Sequence, residues 1–310
     1  MDLSEMYENE KEETRPYSEE ELPVDIGKWV SYMPYHNEDQ LSLQREHLLT
    51  LPIANEYGQI CFVLSKNVFD LERYLECVSK EIRIENTKVV LETEVFYTSK
   101  IEGAKTTKKR TSEIHNGSPI RDDSKFSESM IKGNFEAVKL LNLYGNRIDE
   151  SILQKTWAIL TKDCRENEEI QGEKYRIGEV TVTNSDFKAV KVKDVESRMS
   201  ELISFYNSSL LDDKPFLKAS VIHFAFETIH PFSDGNGRLG RLLMNNFLIS
   251  RGVESCRAVS FSEQIDKNRG LYDGAFVDSE NEYSDCTPFL EYMLETMAKG
   301  FFTAKQTQQN

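Results

Sequence analysis

Residues 230–241, HPFSDGNGRLGR, hold a histidine, an aspartate, a Gly-Asn-Gly triplet and two arginines within one dozen positions. Each type has a distinct chemical use. Gly235 and Gly237 let a backbone close around phosphate oxygens with no Cβ in the way. Arg238 and Arg241, three apart on one helical face, offer two guanidinium forks to further phosphates. Asp234 beside phosphates suits Mg2+, which takes one or two carboxylates and fills its shell with phosphate oxygens. His230 can accept a proton from an attacking hydroxyl near neutral pH. A capped turn beside a core histidine would need only one of these glycines. Their joint occurrence points to transfer of part of a nucleotide.

The flanking residues supply the scaffold. Ala219, Ile222, Phe226 and Ile229 share one helical face, so a packed helix leads to His230. Pro231 disfavours helix at the residue before it, and SDGNG cannot hold a regular helix. RLGRLLMNNFL then resumes helical spacing. The order is helix, glycine-rich loop, helix N-terminus. Such an N-terminus offers unpaired N–H groups and a positive dipole end to an anion.

Farther out, most segments read as helices. Val68, Leu71, Leu75 and Val78 have helical spacing, and TKVVLETEVFYTSKIEG repeats the pattern until Gly103. TTKKRTSEIHNGSPIRDDS reads as a polar loop, its basic stretch 105–110 included. A helical block runs from about 128 to 160 and breaks near YGNRIDES, where Asp149 or Ser151 would cap the next helix. EVTVTNSDFKAVKV alternates about TNSD and predicts a β-hairpin. Helical patterns then return in KDVESRMSELISFY, PFLKASVIHFAFETI, SEQIDKNRGLYDGAF and CTPFLEYMLETMAKGFF. The fold class is mainly α, a helical bundle with one β-hairpin.

The 310 residues carry a net charge of −15. This argues against non-specific binding of nucleic acid or an anionic membrane, which needs a basic footprint. Five scattered cysteines without CxxC spacing predict neither a zinc site nor a disulfide framework. The acidic start MDLSEMYENE lacks a signal-peptide pattern, and no apolar run is long enough to span a membrane. A cytoplasmic protein is expected.

Residues 230–241 resemble the Fic family motif, HxFx(D/E)GNGRxxR, at every defined position. HFAFETIHPF and SFSEQIDKNRGLY are similar to flanking segments of that family. The resemblance implies a Fic-type helical bundle that transfers AMP from ATP to a protein hydroxyl. It makes His230 the general base and Asp234 the Mg2+ ligand. Gly235, Asn236 and Gly237 become the anion cradle, Arg238 and Arg241 the phosphate contacts, and Phe232 the anchor of the loop. The phosphotransferase branch has lysine where this chain has Gly237, so the glycine favours nucleotidyl transfer.

Two further segments resemble family elements. TSKIEG, containing Thr98, Glu102 and Gly103, is similar to the inhibitory pattern (S/T)xxxE(G/N), whose glutamate pairs with the motif's second arginine, here Arg241. The hairpin, about 179–192, resembles the flap that aligns the target by strand addition, through Val180, Val182 and Thr183. Gly172, Tyr175 and Arg176 resemble its lead-in, whereas the proline-rich sequence frequent after it is absent. The implied organisation is an acidic tail (1–21, expected to be disordered), an N-terminal helical region with the inhibitory motif (22–103) and a catalytic domain (104–310). The implied activity is a self-inhibited protein adenylyltransferase acting on Tyr, Thr or Ser. A de-AMPylating hydrolase and a nucleotide-binding regulator with little turnover stay open, as does a homodimer.

Overall fold

The computed structural model describes residues 48–63, 65–166, 168–180, 188–279 and 284–309. The acidic tail and the start of the expected N-terminal region lie outside the described residues. Among the described residues there are eleven α-helices and one two-stranded antiparallel sheet. None of these helices is long and apolar enough to cross a membrane.

The centre of the bundle is α7 (Pro215–Ile229) packed against α8 (Asn236–Ser250). Every residue of α7 from Phe216 to Ile229 is buried, Lys218, His223 and Glu227 included, so the helix is enclosed on all sides. Its N-terminus is closed from another helix, α1 (Lys66–Glu81). Glu72 of α1 accepts from Phe216 N at 3.1 Å and Leu217 N at 2.7 Å. Pro215 at the first position has no N–H to satisfy. Burial pushes the Glu72 carboxyl up to about 8, against the two N–H donors.

Around this pair lie α2 (Thr87–Ile101), α3 (Lys108–His115), α4 (Lys125–Tyr144) and α5 (Glu150–Leu160), then α6 (Val195–Asn207). The bundle is completed by α9 (Phe261–Lys267), α10 (Arg269–Ser279) and α11 (Thr287–Gln309). Asp149 caps α5 by accepting from Ile152 N at 2.8 Å. The α2 helix packs on α4, α8 and α9, and α11 packs on α1 and α7.

Three local readings of the sequence need correction or relocation. The polar stretch after Gly103 is not all loop, because α3 forms within it, capped by Thr107, which accepts from Arg110 N. Arg110 is no solvated lysine-like cation either. It is buried, and its Nε and Nη2 each lie 2.7 Å from a carboxylate oxygen of Glu128. A long-range acid made the helix worth forming, which local polarity did not reveal.

The sheet of the described residues is β1 (Leu48–Ala54) with β2 (Gln59–Val63), a hairpin that the sequence reading did not anticipate. Its outer edge is held by distant chain: Cys61 N donates to Ser284 O and Cys286 N to Cys61 O, both at 2.9 Å. At about 179–192, residues 181–187, with Val182 and Thr183, lie outside the described residues. Glu179, Val180 and residues 188–191 have no regular secondary structure, and Val192–Asp194 form a 3-10 turn.

Candidate active site

The loop between α7 and α8 is set by its own sequence. His230 takes the left-handed conformation, φ 49° and ψ 60°, and its N–H still caps α7 by donating to Phe226 O at 3.0 Å. Pro231 excludes a helical His230, and the left-handed turn is a conformation that histidine tolerates better than most residues. Asn236 then closes the loop on itself: Oδ1 accepts from Phe232 N at 3.0 Å and Nδ2 donates to Phe232 O at 2.8 Å. Phe232 is fully buried and stacks on Trp157 with ring centres 4.6 Å apart. The indole N–H of Trp157 donates to Asp234 O at 2.9 Å. The side chain of Asn236 is thus committed to the loop and leaves only its backbone for a ligand.

Two glycines are required by space. Gly235 has φ 81°, and a Cβ there would stand 2.6 Å from Thr161 Cγ2. At Gly237 a Cβ would stand 2.3 Å from Glu102 Oε1. The carboxylate of Glu102, at the end of α2, therefore rests directly on the first turn of α8.

That carboxylate also grips an arginine. Glu102 Oε1 lies 2.6 Å from Arg241 Nη2, and Arg241 Nε donates to Thr98 Oγ1 at 2.9 Å. Burial pushes the Glu102 carboxyl up, but the charge and hydrogen bond of Arg241, with Arg238 and Arg269 behind it, leave it below its ordinary value. Gly103, φ 86°, turns the chain away after α2. Thr98, Glu102, Gly103, Gly237 and Arg241 are brought together by the fold.

Arg238 is held differently. Its guanidinium is buried, yet its contacts to Leu160 O, Cys164 Sγ and Asp234 Oδ1 are all long, at 3.3, 3.4 and 3.4 Å. Its Nε has no partner among the described residues. Asp234 Oδ1 accepts from Gly235 N at 2.5 Å and Oδ2 from Glu166 N at 3.0 Å. Its side chain stays 22 % exposed at the mouth of the loop.

His230 sits in a dry setting. Burial, then the charge of Arg176, lowers its imidazole to about 4, while the Glu227 backbone and the Glu102 charge act the other way. The ring is neutral at physiological pH. One helical turn earlier, Glu227 is buried with Oε1 lacking a partner among the described residues, 3.9 Å from His223 Nδ1. Burial pushes Glu227 up to about 8 and His223 down to about 3. His223 Nε2 lies 2.8 Å from the Tyr272 hydroxyl, which fixes both rings in the core.

The Fic/DOC family profile matches residues 147–248, a span that contains the loop, both arginines, α5 to α7 and most of α8. This part of the chain is a match to the Fic/DOC family. Its Fic region is 37 % identical over 82 residues to a probable protein adenylyltransferase of Aquifex aeolicus, 24 % of this chain and 26 % of that protein. It is 25 % identical over 213 residues to the protein adenylyltransferase Fic of Nematostella vectensis, 64 % of this chain and 45 % of that one. The chain thus spans less than half the length of these curated relatives. The fold is similar to a Fic family protein from Desulfovibrio desulfuricans, TM-score 0.68 and 18 % identity, covering 80 % of this chain and 77 % of that one. It is also similar to Fic-1 of C. elegans, TM-score 0.61 and 16 % identity, covering 78 % and 72 %.

Within residues 147–248 the sequence reading gave no role to three residues. Trp157 was visible only as an apolar helical position, and Glu227 as an acid three residues before His230. Arg176 was noted as part of a lead-in with no role given to it. Its contacts, described below, reach the backbone of His230.

The depressed imidazoles of His223 and His230 predict an acid sensitivity. In the unfolded chain both titrate near 6.5, above their folded values of about 4 and about 3. Below 6.5 the unfolded state binds more protons, so the stability held by the neutral rings is full above 6.5 and lost as pH falls toward 4 and 3. For His230 alone this is on the order of 3 kcal/mol. The urea midpoint should fall between about pH 7 and pH 4.5, and by less in His230→Asn. An equal fall in both proteins would remove His230 from this account.

Proposed function

We propose that this protein is a self-inhibited protein adenylyltransferase that moves AMP from ATP to a hydroxyl side chain (Tyr, Thr or Ser) of a target protein. One observation carries the reading. An anion of the chain's own making, the Glu102 carboxylate, rests on Gly237 and takes the Arg241 fork at 2.6 Å. A site that accepts a carboxylate between a helix N-terminus and a guanidinium suits a phosphate oxygen for the same reasons.

The chemistry then follows from placement. The target hydroxyl gives its proton to His230 while its oxygen bonds to the α-phosphorus. The bond from that phosphorus to the bridging oxygen breaks, and pyrophosphate leaves. Arg238, loosely held and with Nε unpartnered, has donors to spare for the phosphates. Phosphate charge arriving at the loop raises the proton affinity of the His230 ring, which burial and Arg176 otherwise keep low. Asp234 fits Mg2+ through its part-exposed carboxylate beside the phosphate cradle. Bound there with phosphate oxygens, the ion would offset charge on the leaving group.

The decisive test offers ATP labelled at its α-phosphate to Glu102→Gly protein together with cell lysate. Label on protein, with AMP located on a hydroxyl side chain by mass spectrometry, is expected. Label that follows only the γ-phosphate would replace the reading with phosphoryl transfer. In the same assay Asp234→Ala should lose Mg2+-dependent labelling, on the order of 10²-fold or more. Equal Mg2+ dependence in Asp234→Ala and its parent would remove Asp234 as the ligand.

A further inference from the structure

Arg176 lies outside the dozen motif residues, yet both its side chain and its backbone donate to that turn. Its side chain is fully buried. Nε donates to His230 O at 2.7 Å, Nη1 to Gly178 O at 2.9 Å, and Nη2 to Val190 O. Its backbone N donates to Pro231 O at 2.9 Å. Val190 N in turn donates to Thr228 O at 3.1 Å. Gly178 and Val190 flank the two sides of the segment expected to receive the target. One planar guanidinium therefore joins Gly178 and Val190 to the carbonyl of His230.

We propose that Arg176 is a positioning residue, holding the backbone of His230 against Gly178 and Val190 so that the base keeps a fixed place. The inference rests on the reading of His230 as the base. The residue type fits the task. Five N–H donors in one rigid plane can serve three diverging carbonyls, which the ammonium of a lysine cannot do at those angles. The cost is a buried cation whose only acidic neighbour among the described residues, Glu179, stands 3.5 Å away and is 68 % exposed. Carbonyl dipoles alone compensate it poorly. A purely structural tie would be cheaper to build from neutral groups. The charge has a use: it opposes protonation of His230. The charged groups facing that ring are Arg176 and Glu102, with the Glu227 backbone from α7.

Geometry and charge can be separated by two variants in the Glu102→Gly background, Arg176→Lys and Arg176→Gln. Folding is checked by thermal melting, and Mg·ATP affinity by calorimetry. Both variants should hold Mg·ATP within a few-fold and lose about 10²-fold in kcat, because the base is no longer held in place. Only Arg176→Gln should shift the titration of the His230 ring, and upward, as followed by NMR of the labelled imidazole without nucleotide. Arg176→Lys keeps the charge and should leave that titration close to the parent's. Unchanged kcat in a folded Arg176→Gln, or an unchanged His230 titration in it, would overturn the proposal. If Arg176→Gln does not fold, Arg176→Lys decides it: parental kcat refutes positioning. The NMR titration needs no transfer activity. Failure of Glu102→Gly to label anything would count against the adenylyltransferase reading and still leave Arg176 to be judged by the titration.

Discussion

Replacing Glu102 by glycine is expected to raise auto-labelling from ATP by about 10²-fold or more over wild type. The carboxylate holds Arg241 at 2.6 Å and lies against the Gly237 backbone, where a phosphate oxygen would have to sit. ATP can still reach the loop and Arg238, but its terminal phosphate lacks the second fork. The α-phosphorus is then out of line with the incoming hydroxyl, and a misplacement of an ångström costs on the order of 10²-fold. Loss of the pair should not unfold the protein. Arg241, 2 % exposed, is the charge left behind, and removing the part-exposed Glu102 opens it to water, which keeps the penalty below the roughly 3–5 kcal/mol of stranding a buried charge. Thr98 still holds Arg241 through its hydroxyl and carbonyl. Arg241→Ala in the same background should cancel the gain, since the freed fork is the proposed cause. Equal labelling by folded wild type and Glu102→Gly would mean that this contact does not restrain the enzyme.

The second large effect is a loss. His230→Ala in the Glu102→Gly background should reduce labelling by about 10²–10⁴-fold, the usual contribution of a general base. Mg·ATP affinity should change by no more than a few-fold, because the phosphate contacts come from α8 and Asp234. A drop in kcat without a matching change in binding is the signature of an interaction made in the transition state. His230 also shapes the loop through its left-handed backbone, φ 49°. Alanine tolerates that conformation less well, at a cost of about 1–2 kcal/mol. His230→Asn is therefore the necessary companion, since asparagine adopts the conformation readily and supplies no comparable base. Loss in both variants assigns the effect to the imidazole. Parental labelling by His230→Asn would remove His230 from the chemistry.

What could be read from the sequence alone was whatever is encoded by neighbours in the chain. His230, Pro231, the Gly235 and Gly237 positions and the arginine spacing lie within one dozen residues. Their conformation follows from steric rules that act between adjacent peptides. Helical periodicity exposed the elements on either side for the same reason: it repeats every few positions.

Tertiary structure decided everything that depends on residues far apart in sequence. Glu102 meets Arg241 across 139 positions and Arg176 reaches His230 across 54, separations at which no pattern in the chain gives a distance. Arg110 looked solvated because its partner Glu128 lies on another helix. The β1–β2 hairpin was overlooked because it is held partly from residues more than 220 positions later, as Thr287 Oγ1 on Val63 N illustrates. The sequence determined the reactive groups and the loop that carries them. Only packing decided that a carboxylate from α2 rests on Gly237 and Arg241 and that a buried guanidinium holds the carbonyl of His230. Both contacts exist because burying a charged side chain is tolerable only where the fold brings it partners.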